Sequence, residues 1–163
     1  MFGWTSKIIN MKDFTAYINE KLKITKDILK QNKYNYHPKT KDELKELVKQ
    51  LIKERGNEAN LNDIDTSEIT DMSELFKKSN FNGDISAWNV SAVENMTYMF
   101  GWSKFNGNIS DWDVRNVTNM RGMFAYSKFN MDISNWERHP KSVTYDMFFS
   151  CPIEAKYKPK FNK

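Results

Sequence analysis

With 163 residues, 39% of them apolar and 14% aromatic, the chain can build one packed domain or one short repeat array but not two large domains. Its apolar runs are a few residues long, which excludes a membrane-spanning helix, and a single cysteine, Cys151, beside His37 and His139 excludes an internal disulfide and a structural zinc site. The net charge of +4 divides into +6 over residues 1–56, −5 over 57–150 and +3 over 151–163, and only four of the 25 basic residues are Arg, so direct nucleic-acid binding is not expected.

Residues 1–25 alternate Lys, Asn and Asp with apolar residues and offer no signal-peptide core, which places the chain in the cytoplasm as it stands. Asn10, with Asp13 three residues on, predicts a helix to about Lys30 whose apolar face carries Phe14, Tyr17, Ile18, Leu22, Ile28 and Leu29. A second helix is predicted by the capping pair Thr40 and Glu43, by Leu44, Leu47, Val48, Leu51 and Ile52 at spacings of three and four, and by Gly56 as its stop. Residues 1–35 are thus a helical extension and residues 36–56 a capping helix.

From residue 57 a period of 24 residues takes over. Phe81-Asn82-Gly83-Asp84-Ile85-Ser86-Ala87-Trp88 recurs as Phe105-Asn106-Gly107-Asn108-Ile109-Ser110-Asp111-Trp112 and as Phe129-Asn130-Met131-Asp132-Ile133-Ser134-Asn135-Trp136. A degenerate first unit begins near residue 57, an irregular one ends near 150, and residues 151–163 form a cap and tail. The order Ile85-x-x-Trp88-x-Val90 has the form of a leucine-rich repeat, with alternation suited to a short strand. The later spacing of three at Val93, Met96 and Met99 suits a 3₁₀ or helical return. The expected fold class is therefore α+β: a short leucine-rich-repeat solenoid of about four coils over residues 57–150, preceded by two capping helices. Trp88, Trp112 and Trp136 belong to its core, and the repeated Asn, Asp and Ser rows satisfy turn amides.

The expected strands set their outward residues in columns: Asp63, Ala87, Asp111 and Asn135; Asp65, Asn89, Asp113 and Glu137; Ser67, Ser91, Arg115 and His139. This face is acidic. Asp63, Asp65, Asn89, Asp111, Asp113, Arg115 and Glu137 are accordingly candidate partner-binding residues for a protein with a basic surface. Trp102 and Tyr126 form a further column at the slot of Lys78; exposed, they are interface anchors, and buried, they cover Phe105 and Phe129. No catalytic set assembles, since neither histidine has a repeat-supported partner. No metal or cofactor is expected either, Asp111 and Asp113 lacking the ligand-dense glycine loop of a calcium site.

The runs from Phe81 to Phe100 and from Phe105 to Phe124, with the lead-in Tyr36-His37-Pro38-Lys39-Thr40-Lys41-Asp42-Glu43-Leu44, resemble the BspA-like leucine-rich repeat family of bacterial surface proteins. That resemblance covers residues 36–150. It implies a non-enzymatic adhesion or interaction protein displayed at the cell surface. The alternative reading is a soluble intracellular inhibitor from a mobile element, a phage-type anti-defence protein whose acidic face blocks a basic nucleic-acid channel.

Overall fold

The computed structural model describes residues 33–160, and the chain divides into two compact units, residues 1–35 and 36–163. The helix expected from Asn10 to Lys30 lies outside the described residues. The second helix forms as Lys41–Arg55, here α1. Thr40 caps it by accepting from the Glu43 amide at 3.2 Å, and Glu43 reaches back to the Lys39 amide at 2.7 Å. Gly56, at φ 89°, donates to Ile52 at 2.9 Å and stops it. Leu44, Val48 and Leu51 are buried in the same core as the repeats.

Beyond α1 the expected α+β leucine-rich-repeat solenoid does not form. Among the described residues there is no sheet: the β contacts are isolated parallel bridges, and besides α1 the only regular element is a three-residue 3₁₀ helix, Ala155–Tyr157. Neither the strand expected at Trp88-x-Val90 nor the 3₁₀ or helical return forms. Trp88 donates to Ile85 at 3.1 Å and Val93 to Val90 at 2.9 Å, so both ends of the expected strand close into turns. Three of the five bridges lie instead on the row Asp71, Asn95, Asn119 and Val143, and the other two join Tyr36 to Ile64 and Asn60 to Asp84.

Three overlapping tight turns come after each residue of that row, and the first and third of them share one geometry. In the unit beginning at Met96, Met99 donates to Met96 and Ser103 to Phe100, both at 3.1 Å, and the third residues of these turns, Tyr98 and Trp102, have φ of 50° and 57°. The same left-handed positions recur at Glu74 and Lys78, at Gly122 and Tyr126, and at Asp146 and Ser150, all between 50° and 59°. A positive φ at the third residue marks the type II turn, whose central peptide is flipped relative to type I. The flip leaves the amides of residues 98 and 102 facing the following unit while the intervening groups close the turns.

Twelve hydrogen bonds of 2.8–3.0 Å result, all running one way. Met72, Glu74, Phe76 and Lys78 donate to Asn95, Thr97, Met99 and Gly101; Met96, Tyr98, Phe100 and Trp102 donate to Asn119, Arg121, Met123 and Ala125; Met120, Gly122, Phe124 and Tyr126 donate to Val143, Tyr145, Met147 and Phe149. Because the carbonyl of Asn95 and the amide of Met96 share one peptide, these bonds make four columns of head-to-tail peptides.

Side chains repeat at the same interval. Phe76, Phe100, Phe124 and Phe148 stack with centroids 5.5–5.8 Å apart and planes within 7° of parallel. The indole N–H groups of Trp88, Trp112 and Trp136 donate to Leu61, Ile85 and Ile109 at 2.9, 3.3 and 3.1 Å, so these rings are buried without an orphaned donor. Asn106 and Asn130 each donate a backbone amide to the side-chain oxygen of the Asn 24 residues earlier, at 2.8 and 2.7 Å, and Glu154 does the same to Asn130 at 3.0 Å.

Gly122 is the one glycine among the eight left-handed positions, and the reason is its neighbour: a Cβ there would lie 2.2 Å from Cε1 of Tyr98. Replacing Gly122 by Ala should therefore cost about 2 kcal/mol or more, from overpacking added to left-handed strain. Trp112→Ala, which deletes a buried ring and its bond to the Ile85 carbonyl, should cost about 3–5 kcal/mol. Urea denaturation of both variants checks this, and a neutral Gly122→Ala would contradict the packing of Tyr98 over that position.

Candidate interaction surface

The acidic residues read from the sequence are largely occupied by the fold. Asp65 is buried, accepts from the Ser67 amide at 3.1 Å and stands 3.5 Å from His37 Nδ1. Asn89 and Asp113, its counterparts 24 and 48 residues on, accept in the same way from the amides of Ser91 and Arg115 at 3.1 and 3.2 Å. The column is a row of Asx turns, in which a short polar side chain closes on its own backbone two residues later. The rows at Asp84, Asn108 and Asp132 and at Asp71, Asn95 and Asn119 repeat the device.

Two carboxylates are further neutralised. Asp63 takes a forked pair of bonds from Arg55 of α1, at 3.0 and 3.1 Å. Asp113 takes two from the Arg115 guanidinium, both 2.8 Å, which hold its carboxyl down to about 2 from an ordinary 3.8. Asp111, Asp113, Arg115 and Glu137 are brought together around an open depression of about 350 Å³ with Trp112 and Trp136 at its base. Of the acidic candidates, Asp111 and Glu137 are the exposed carboxylates without an ion pair among the described residues. Among those residues no group of three or more His, Cys, Asp or Glu side chains could hold a metal ion.

Trp102 and Tyr126 are 41% and 47% exposed, so their column reaches the surface. Their rings stack at 5.1 Å and 12°; Tyr98 stacks on Trp102 at 5.6 Å, and Phe149 meets Tyr126 edge-on at 5.2 Å. Phe149 and Tyr145, 52% and 67% exposed, extend the surface. The ring faces cover one another, so the row presents mainly edges, the positive side of the aromatic quadrupole. Cations border it: the Lys77 ammonium lies 5.3 Å from the Tyr98 ring and 5.8 Å from Trp102, and the Arg121 guanidinium 5.9 Å from Tyr145. Lys78, Lys104 and Lys128 are exposed within two residues of these positions in sequence.

Sequence reasoning missed Tyr98, Tyr145 and Phe149 as members of this surface. The signal was available for Tyr98, two residues after a repeated Met and four before Trp102. For Tyr145 and Phe149 it was hidden by the irregularity of the last unit.

A family model described as a Mycoplasma protein of unknown function, DUF285, matches residues 43–159. No curated protein and no solved structure matches the chain. Among the described residues no helix is long and apolar enough to cross a membrane.

The Asp113 carboxyl gives a pH test. Its folded pKa is depressed, so its contribution to stability is complete above about pH 5 and is lost as pH falls through 3.8 towards 2. Asp113→Asn keeps the Asx acceptor and removes the charge, and should flatten that part of the acid limb. Urea midpoints at pH 4 and pH 2 for both proteins measure it, and equal losses would contradict the Arg115 pairing.

Proposed function

The chain belongs to the DUF285 family, and on that footing we propose that it is a non-enzymatic protein–protein recognition module whose contact surface is the aromatic row Tyr98, Trp102, Tyr126 and Phe149. One observation carries the proposal: large aromatic residues, two of them about half exposed and held in left-handed turns, form a continuous stacked row on the surface. Bulky residues at positive φ cost backbone strain, of order 1–3 kcal/mol each. Three of these rings occupy positions where glycine would relax the turn, and exposed clustered rings are the usual anchors of interfaces.

The likeness of residues 81–100 and 105–124 to BspA-like repeats supports the same class of function, as a likeness of sequence and not of leucine-rich-repeat architecture. It favours presentation to an external partner. The inhibitor alternative depends on the acidic columns. With Asp63, Asp65 and Asp113 engaged within the chain, its carriers are Asp111 and Glu137.

A pair of double variants separates the two surfaces. Trp102→Asn with Tyr126→Asn keeps residue types that tolerate positive φ and should cost about 1–2 kcal/mol in stability while removing partner capture from extracts of the producing cell. Asp111→Asn with Glu137→Gln should leave both unchanged. Capture that survives the aromatic double variant and fails in the carboxylate one would overturn the proposal in favour of the acidic face.

A further inference from the structure

The columns of aligned peptides have two unlike ends. At one, the carbonyls of Asp71, Ser73, Leu75 and Lys77 have no backbone donor among the described residues, and Lys41 of α1 sits beside them, bonded to the side chains of Asp71 and Ser73. At the other, the amides of Thr144, Asp146, Phe148 and Ser150 have no acceptor among the described residues. An ordinary sheet edge alternates donors with acceptors and can pair with a copy of itself. This edge offers donors, because the carbonyls of Val143, Tyr145, Met147 and Phe149 are taken by the preceding unit and those of Thr144, Asp146 and Phe148 close turns to Met147, Phe149 and Cys151.

We propose that the four amides are a binding site for an extended, acidic peptide segment of a partner protein, which lays backbone carbonyls of alternate residues along the row. This rests on the recognition reading and names the element bound. The occupant is indicated by what the equivalent amides already hold. Those of Met120, Gly122, Phe124 and Tyr126 take the carbonyls of alternate residues, Val143 to Phe149, at 2.8–3.0 Å. An extended peptide adding to the open edge supplies carbonyls at the same alternate-residue interval, from a strand instead of the run of turns that Thr144 to Cys151 forms.

Charge selects further. Arg121 stands over the Tyr145 ring and Lys158 over Phe148 at 5.5 Å, neither with a carboxylate partner among the described residues, so acidic side chains flanking the bound backbone meet a cation on either side. Asp146 lies within the row itself, and its carboxylate opposes a phosphate chain, whose charge would have to sit on the amides, more than it opposes neutral carbonyls. A second copy is a poor occupant: donor row against donor row cannot bond, and the carbonyl end of the copy lies beside its own α1. Exposed Tyr145 and Phe149 supply apolar contact for the peptide side chains.

The test uses the full chain, isotope-labelled for NMR, with three probes: an end-capped dodecapeptide of alternating Val and Glu, its Val and Lys counterpart, and a twelve-residue oligothymidylate. The Val/Glu peptide should shift the amides of Thr144, Asp146, Phe148 and Ser150 and slow their hydrogen exchange at least tenfold, the Val/Lys peptide should not, and Arg121→Glu with Lys158→Glu should weaken the effect at least tenfold. The same response should persist in the Trp102→Asn, Tyr126→Asn variant. No response at these amides with millimolar Val/Glu peptide overturns the site, as does an equal response to oligothymidylate, which assigns it to nucleic acid, or protection that depends on protein concentration alone, which assigns it to a second copy. Loss of partner capture in the aromatic variant with these amides unresponsive removes this site and spares the recognition reading; the converse pattern removes the aromatic surface and spares this site.

Discussion

The structure depends on a set of hydrogen bonds that all point the same way. In a β-sheet successive peptides of a strand point to opposite sides and their dipoles nearly cancel. Here, within residues 71–78, 95–102, 119–126 and 143–150, alternate peptides close local turns and the others line up along the repeat, so that each bonded peptide of the two inner units is both acceptor from the unit before and donor to the unit after. Hydrogen bonds in such chains polarise one another, as they do along a helix. The result is an architecture with a carbonyl end, beside which α1 sets Lys41, and an amide end.

The left-handed residues are the local cost of this alignment. Seven of the eight are not glycine, yet the strain is tolerated because each turn is fixed twice, by its own closing bond and by the bonds to its neighbours 24 residues away. The side-chain rows arise from the same register. Once the peptides are fixed at that interval, identical residues face one another, and Phe on Phe, Trp on carbonyl and Asn on amide are pairings that identical units can repeat indefinitely. The aromatic row on the surface comes from the same repetition, with Trp102 and Tyr126 at one slot of successive units.

Much of this was legible in the sequence, and the misreading has a physical cause. The period, the buried Trp row and the boundaries and caps of α1 could be read because each is written in side chains: Trp at 24-residue intervals, Thr40 and Glu43, Gly56. The direction of a peptide is not written in that way. Trp88-x-Val90 alternates as a strand does, but alternation reports only which residues turn inward, and a turn closing Ile85 to Trp88 turns them inward equally well. The left-handed positions carry Lys, Tyr, Trp, Asp and Ser, so the usual glycine signal for them was missing. The surroundings of the candidate residues were hidden for a related reason. Asp65, Asn89 and Asp113 were visible as a polar column, but not that each commits an oxygen to its own backbone. The stacked aromatic column was visible only where the repeat is regular.

Both the side-chain rows and the unlike ends require the direction and register of the columns, and couplings transmitted through hydrogen bonds in NMR measure both. The amide nitrogens of Met96, Tyr98, Phe100 and Trp102 should couple to the carbonyl carbons of Asn119, Arg121, Met123 and Ala125, and the matching sets on either side should do the same. Couplings that alternate in direction along the row, as in a parallel sheet, or that join residues at another interval would contradict this architecture.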